Sequence, residues 1–299
     1  MALAVLLGMT IRKILCPIDF SAGSRSALRA AATLTAAFGA ELLILHVVAV
    51  PELANTSELV VTVVSREQHL EAARKALAAA VSDAQADGAP RVTSRLETGP
   101  VPDAIVDALA DPTFDLCVIG ATGHTGLARF LLGSVAEKVV RHSACSTLVV
   151  RPDGQFEMPL HVLCPIDFSP SAAHAAEIAA SLVRIGGAIT LLHVLELPVR
   201  YAGPIFDEDM ARSLAPHAAS VLDEWAARLR PRCANIQIDS RVGYPGGEIL
   251  AAIDHDHTVD LVCIGSHGRT GLRRFLLGSV AEKIVRHARC SVLVARARG

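Results

Sequence analysis

Two stretches of the chain combine glycines with a hydroxyl at a spacing suited to holding an anion. The first reads Gly120-Ala121-Thr122-Gly123, then nine residues, then Gly133-Ser134; the second reads Gly265-Ser266-His267-Gly268, then nine residues, then Gly278-Ser279. Glycine permits close approaches that a Cβ would obstruct. A loop of exposed amides that feeds a helix N-terminus can hold a phosphate through backbone donors and the helix end. The serine hydroxyl would add a further contact. A structural reading competes with this one. Ser134 lies three residues before Glu137, and Ser279 three before Glu282, which is the spacing of a capping box. Those serines can simply satisfy orphan amides, and Gly126 and Gly271 can be turn residues. The two roles do not exclude each other.

Other chemistries fit the residues less well. Walker A needs a lysine after its second glycine, whereas serine follows Gly133 and Gly278. Efficient phosphoryl transfer needs positioned donors and metal-holding acids, and the recurring acids at the expected ligand site are only Asp19 and Asp167, each directly after the first apolar run of its copy. The sequence therefore points to slow phosphate-ester or anhydride hydrolysis at most, and no catalytic residue is assigned. Ser169, Asp167 and His193 share the residue types of a triad without a G-x-S-x-G context. His46 and His193 recur at the ends of apolar runs and read as hydrogen-bonded, partly buried positions. Asp254-His255-Asp256-His257, with Asp260 nearby, has zinc-compatible residue types but no evident counterpart around Leu109-Ala110-Asp111-Pro112. It reads as a solvated loop, and no metal ligand is assigned. Arg273, Arg274, Lys283, Arg286, His287 and Arg289 make one segment basic, but the scarcity of aromatic residues there disfavours nucleic acid.

The elements that must position these residues occur twice. Ile14 to Ser21 returns as Val162 to Ser169, and Leu45-His46-Val47 as Leu192-His193-Val194. Ile119 to Leu148 returns as Ile264 to Leu293, with 22 of those 30 positions identical. A repeat of this length is a domain, not a solenoid unit. The divisions are residues 1–152, a linker at 153–158, and residues 159–299, since Arg151 to Gln155 is short, polar and turn-rich. Within the first copy, apolar runs at Ile11 to Ile18, Glu41 to Val50, Arg91 to Glu97, Leu116 to Gly120 and Ser146 to Val150 read as strands. Helical stretches at Ser24 to Phe38, Arg66 to Asp87, Pro102 to Ala110 and from Gly133-Ser134 onward separate them. Short runs buried on both faces and alternating with helices predict an α/β fold with a parallel sheet covered on each side. Its ligand site belongs beyond the strands' carboxyl ends, where strand order reverses.

Composition agrees. Of 299 residues, 52% are hydrophobic, enough for a core in each copy, and the net charge of −2 gives no overall attraction to nucleic acid or anionic membrane. Seven cysteines, an odd number without metal-type spacing, do not suggest a secreted disulfide framework. Met1 to Gly8 is apolar but shorter than the roughly 20 residues that span a bilayer. A cytoplasmic location and no membrane partner are expected.

The repeated glycine pattern, in this strand–helix context, resembles that of nucleotide-binding members of the universal stress protein family. The resemblance covers nearly the whole chain, as two tandem family domains. It implies two Rossmann-like, doubly wound domains, each with a five-stranded parallel sheet of order 3-2-1-4-5. It also implies an adenine-nucleotide pocket, most simply for ATP, with Mg²⁺ as an accompanying ion. By resemblance, Asp19 and Asp167 lie near the adenosine, and Val47 and Val194 frame adenine. Gly120, Gly123, Gly133 and Ser134, with Gly265, Gly268, Gly278 and Ser279, then face phosphates and ribose. The copies differ where Thr122 aligns with His267 and His124 with Arg269. Arg269, always cationic, suggests tighter triphosphate binding by the second copy. The resemblance implies a nucleotide-responsive stress or signalling module; a structural or interaction protein without nucleotide is the alternative. In the family's strand order the last strand of each copy is an edge, and edges invite pairing. The two domains are expected to pair internally through these strands, and two chains to form a homodimer.

Overall fold

The structure, a computed structural model, describes residues 11–49, 59–123, 132–152, 156–196, 208–268 and 277–296. The first half runs β1 (Lys13–Pro17), α1 (Ala22–Phe38), β2 (Glu41–Val48), α2 (Leu59–Ala86), β3 (Val92–Thr98), α3 (Val101–Ala108), β4 (Leu116–Gly120), α4 (Ser134–His142) and β5 (Ser146–Val150). The second repeats this as β6 (His161–Pro165), α5 (Pro170–Leu182), β7 (Ala188–Leu195), α6 (Glu208–Leu229), β8 (Asn235–Val242), α7 (Pro245–His255), β9 (Leu261–Gly265), α8 (Ser279–His287) and β10 (Ser291–Ala295). All ten strands join one sheet in the order β3-β2-β1-β4-β5-β10-β9-β6-β7-β8. Each half is parallel within itself, and the last strands pair antiparallel, with Val149 opposite Val292 and Leu148 opposite Leu293.

Strand periodicity explains the layers. Successive side chains point to opposite faces, so Ile14 and Cys16 enter one core while Leu15 between them enters the other. The first core holds Leu34, Leu77, Ile178 and Leu222 from α1, α2, α5 and α6. The second holds Ile105, Val139, Ile249 and Ile284 from α3, α4, α7 and α8. Both cores run through the β5–β10 seam, because Leu148 meets Leu293 on one face and Val149 meets Val292 on the other.

Crossed arginines reinforce the seam. Arg151, just after β5, donates from Nη2 to the carbonyls of Val285 and Arg286 at 2.8 and 3.2 Å. Arg296, just after β10, donates to those of Val140 and Arg141 at 3.0 and 2.8 Å. Each half thus supplies a cation to the C-terminal carbonyls of the other half's last helix, where the helix dipole is negative. Glu137, Arg141, Glu282 and Arg286 add crossed ion pairs, with Arg141 to Glu282 at 3.1 Å and Arg286 to Glu137 at 2.9 Å.

Candidate functional site

In the first half, strand order reverses between β1 and β4, and a cavity of about 270 Å³ opens there beyond the strands' carboxyl ends. Asp19, Val47, Gly120, Gly123, Gly133 and Ser134 all line it. Its apolar wall includes Ile18, Leu45, Val47, Val101, Ile105 and Ile119, and its polar end lies at Asp19, the glycine loop and the start of α4.

A sharp turn sets the carboxylate. Phe20 has φ of 64°, a left-handed conformation that is costly for a bulky residue. It is held by its surroundings: Ser21 N–H donates to Asp19 Oδ1 at 3.0 Å, the Arg25 guanidinium donates to the Phe20 carbonyl, and the Phe20 ring lies 4.5 Å from that of His46. The Ser21 hydroxyl then caps α1 by accepting from Ser24 N–H at 3.2 Å.

The glycines have different physical reasons. A Cβ on Gly120 would lie 2.7 Å from the backbone carbonyl of Gly23, so this glycine lets β4 meet the start of α1. A Cβ on Gly123 would lie 2.7 Å from Asp19 Oδ2, so that glycine makes room for the carboxylate. Gly133 N–H is occupied, donating to the Ala121 carbonyl at 2.7 Å. Among the described residues, the Gly123 amide has no hydrogen-bond acceptor.

The helix start corrects the capping-box reading. Gly133, extended at φ −67° and ψ 149°, is the N-cap of α4, and Ser134 is its first helical residue. No side-chain cap closes this end. The first amides of the helix, from Ser134 to Ala136, have no intrahelical acceptor, and all three residues line the cavity. Gly278 and Ser279 repeat the arrangement at α8.

The second half reproduces the frame. Phe168 also has φ of 64°, and Asp167 Oδ1 accepts from Ser169 N–H and Oγ at 3.0 and 2.6 Å. A Cβ on Gly268 would meet Asp167 Oδ2 at 2.9 Å, and Gly278 N–H donates to the Ser266 carbonyl at 2.8 Å. Gly265 abuts Ser171, and Val194 packs partly buried near the end of β7. Arg269, His124 and the basic pair Arg273-Arg274 lie outside the described residues.

A model of the universal stress protein family matches this chain twice, over residues 10–151 and 158–296. The chain belongs to the universal stress protein family. A universal stress protein of Mycolicibacterium smegmatis is 28% identical over 304 residues, covering 95% of this chain and 97% of that one. Universal stress proteins of Mycobacterium bovis and Mycobacterium tuberculosis are 33% identical over 192 residues. Those matches span 61% of this chain and 62% of each relative. The crystal structure of a universal stress protein from Archaeoglobus fulgidus shares the fold, with a TM-score of 0.71 at 21% identity, covering 97% of this chain and all of that one.

Within this universal stress protein the rival chemistries come apart. His193 Nδ1 lies 2.7 Å from the Ile166 carbonyl, and Ser169 Oγ donates to Asp167 directly, so the triad residues form no serine–histidine–aspartate relay. His46 Nδ1 makes the same contact with Ile18, also at 2.7 Å. Of the Asp254–His257 segment, Asp256 has a structural counterpart in Asp111, while Asp254, His255 and His257 align with Leu109, Ala110 and Pro112. Asp256 Oδ1 accepts from Thr258 N–H at 2.9 Å, as Asp111 does from Thr113. Asp260 accepts from the backbone at Leu160 and His161, as Asp115 does at Arg12 and Lys13. Among the described residues no group of three or more candidate ligands could hold a metal ion, and no helix is long and apolar enough to cross a membrane. Sequence reasoning missed Ser24, Val101 and Ile105 as cavity residues; the Pro100 that precedes α3 was the available signal, since it fixes where that helix begins beside the pocket.

Proposed function

We propose that this universal stress protein binds an adenine nucleotide, with ATP the first candidate, and acts as a nucleotide-responsive stress or signalling module. One observation carries the reading: the Gly123 amide, without an acceptor among the described residues, and the uncapped first turn of α4 border the same cavity as an apolar wall and the Asp19 carboxylate. Backbone donors and the helix dipole favour phosphate at the polar end. The wall of Ile18, Val47 and Val101 suits a flat, largely apolar base. Asp19 suits a ribose hydroxyl, for which a carboxylate is an acceptor. Mg²⁺ usually keeps several waters and takes only one or two carboxylates alongside phosphates, so it would enter with the nucleotide. The same frame around Asp167, Gly268 and Ser279 supports a second site. Seven free cysteines, six of them buried, support work in a reducing cytoplasm. Because β5 and β10 occupy each other's edges, a homodimer of chains would need a different surface.

The test is to denature freshly purified protein, identify any released nucleotide, and titrate the intact chain with MgATP by calorimetry. A stoichiometry near two supports both sites, and near one supports a single working pocket. In the Gly123→Val variant the Cβ competes with Asp19 Oδ2, and one site should be lost. No binding to a folded chain at millimolar MgATP would overturn the proposal.

A further inference from the structure

The two glycine loops share a frame but differ in how they are held. In the first half, Gly23 begins the contact with the loop, and a Cβ there would lie 2.1 Å from the Thr122 carbonyl oxygen. No side chain fits, and position 23 contributes no side-chain hydrogen bond to the loop. In the second half this position is Ser171. Its hydroxyl donates to the carbonyl of His267, the residue immediately before Gly268. Ser171 also lies against Gly265, where a Cβ would meet Ser171 Oγ at 2.5 Å. It therefore connects the start of α5, the end of β9 and the loop. Ser169 strengthens the connection, with its hydroxyl 2.6 Å from Asp167 Oδ1 and 3.4 Å from the same His267 carbonyl.

We infer that Ser171 is a positioning residue that ties the second glycine loop to α5 and makes the second pocket the pre-organised, tighter site of the pair. The inference rests on the nucleotide reading above. A carbonyl fixed by a hydroxyl fixes the peptide plane that follows it, and that plane carries the Gly268 amide, which has no acceptor among the described residues. A ligand meeting an already ordered loop avoids the ordering cost that it must meet at an untethered one. The first loop packs against Gly23 without such a bond, so more of the ordering cost is left for its ligand to meet.

The test has a ligand-free arm and a binding arm. In the apo protein, backbone ¹⁵N relaxation should give higher order parameters at the His267 and Gly268 amides than at Thr122 and Gly123. Ser171→Gly should abolish that difference, while Ser171→Thr, which keeps the hydroxyl, should preserve it. In the binding arm, MgATP is titrated into the full chain carrying Gly123→Val, so that the second site is read alone. One hydrogen bond's net worth corresponds to about a three- to tenfold weakening on adding Ser171→Gly, with Ser171→Thr close to the parent. A residue with a purely structural role would lower the melting temperature of Ser171→Gly without changing the loop's order parameters or affinity, and that result overturns the inference. Unchanged second-site affinity also overturns it and leaves the nucleotide reading intact. Absence of MgATP binding in a folded parent instead refutes the nucleotide reading at this site, and the inference falls with it.

Discussion

Replacing Arg296 with methionine tests whether the crossed arginines bind the halves together. The substitution keeps most of the apolar stem and removes the guanidinium that donates to the Val140 and Arg141 carbonyls at 3.0 and 2.8 Å. Hydrogen bonds involving a charged group contribute about 1.5–3 kcal/mol each, so the two give a gross loss of about 3–6 kcal/mol. Against this stands the desolvation of a residue only 8% exposed. Burial disfavours its charged form and lowers its pKa from the usual arginine range. Methionine removes that penalty, and a net destabilisation of about 2–4 kcal/mol is expected. Arg151→Met should behave alike, since its donors serve Val285 and Arg286 in the same way. The antiparallel register sets the two arginines some six residues apart along the seam, about 20 Å at strand rise. At that distance the losses should add. Urea unfolding followed by circular dichroism reads the difference as a shift in midpoint at unchanged slope. In the double variant, two separate transitions are expected as the halves uncouple. A loss below about 0.5 kcal/mol in both single variants would refute the reasoning, because these buried donors would then contribute no more than exposed ion pairs.

Three further outcomes follow from particular contacts. Gly120→Ala drives a Cβ to 2.7 Å from the Gly23 backbone and should cost about 1–3 kcal/mol in apo stability, measured by chemical unfolding, whatever its effect on ligands. Asp256 has its carboxyl held below the usual range by the hydrogen bonds from the Thr258 hydroxyl and amide, with the nearby His161 and Arg289 charges contributing less. A lowered carboxyl pKa stabilises the fold above the unfolded value and loses that contribution as pH falls through the folded value. Thr258→Val should therefore lose about 0.5 kcal/mol of carboxylate stabilisation at pH 7, a small figure because the carboxylate is half exposed, together with the Thr258 hydroxyl's 2.8 Å contact to His161 Nδ1; the difference in urea midpoint should narrow as pH falls below the usual carboxyl range. Cys290 is pushed up to about 11 by burial, so its thiolate is scarce at pH 8. Iodoacetamide at that pH should leave the folded chain unlabelled over minutes and modify seven cysteines once it is unfolded, as counted by mass spectrometry.

Much of this architecture was legible because it depends on short-range pattern. The both-faces-buried runs of β1, β4 and β5 look apolar throughout, and the structure divides their successive residues between two cores. The loop glycines were legible as a spacing, but their separate causes were not. Gly120 answers to Gly23 and Gly123 to Asp19, across about a hundred residues. The capping-box spacing was real but one residue out of register: Glu137 N–H bonds to the Gly133 carbonyl, which makes the glycine the N-cap. Helix α2 begins at Leu59, whereas the sequence pattern places its start at Arg66 because the β-branched run Val60 to Val64 carries little helix propensity. Arg151 read as the first polar residue of a linker, and its burial against a helix from the other half has no local signature. Asp256 and Asp111 share a D-x-T-x-D pattern at 256–260 and 111–115, but its meaning, a turn closed on the threonine two residues later, appears only in the fold.

The antiparallel meeting of β5 and β10 has a consequence for access. It points the carboxyl ends of the two halves in opposite directions, so the two glycine loops, and any mouths they border, sit at opposite poles of one slab. No single small ligand can bridge them. A protein that docks over one mouth leaves the other open to solvent. What physically joins the poles is the β5–β10 ladder and the charged fastenings between α4 and α8, which grip the far helix of each half.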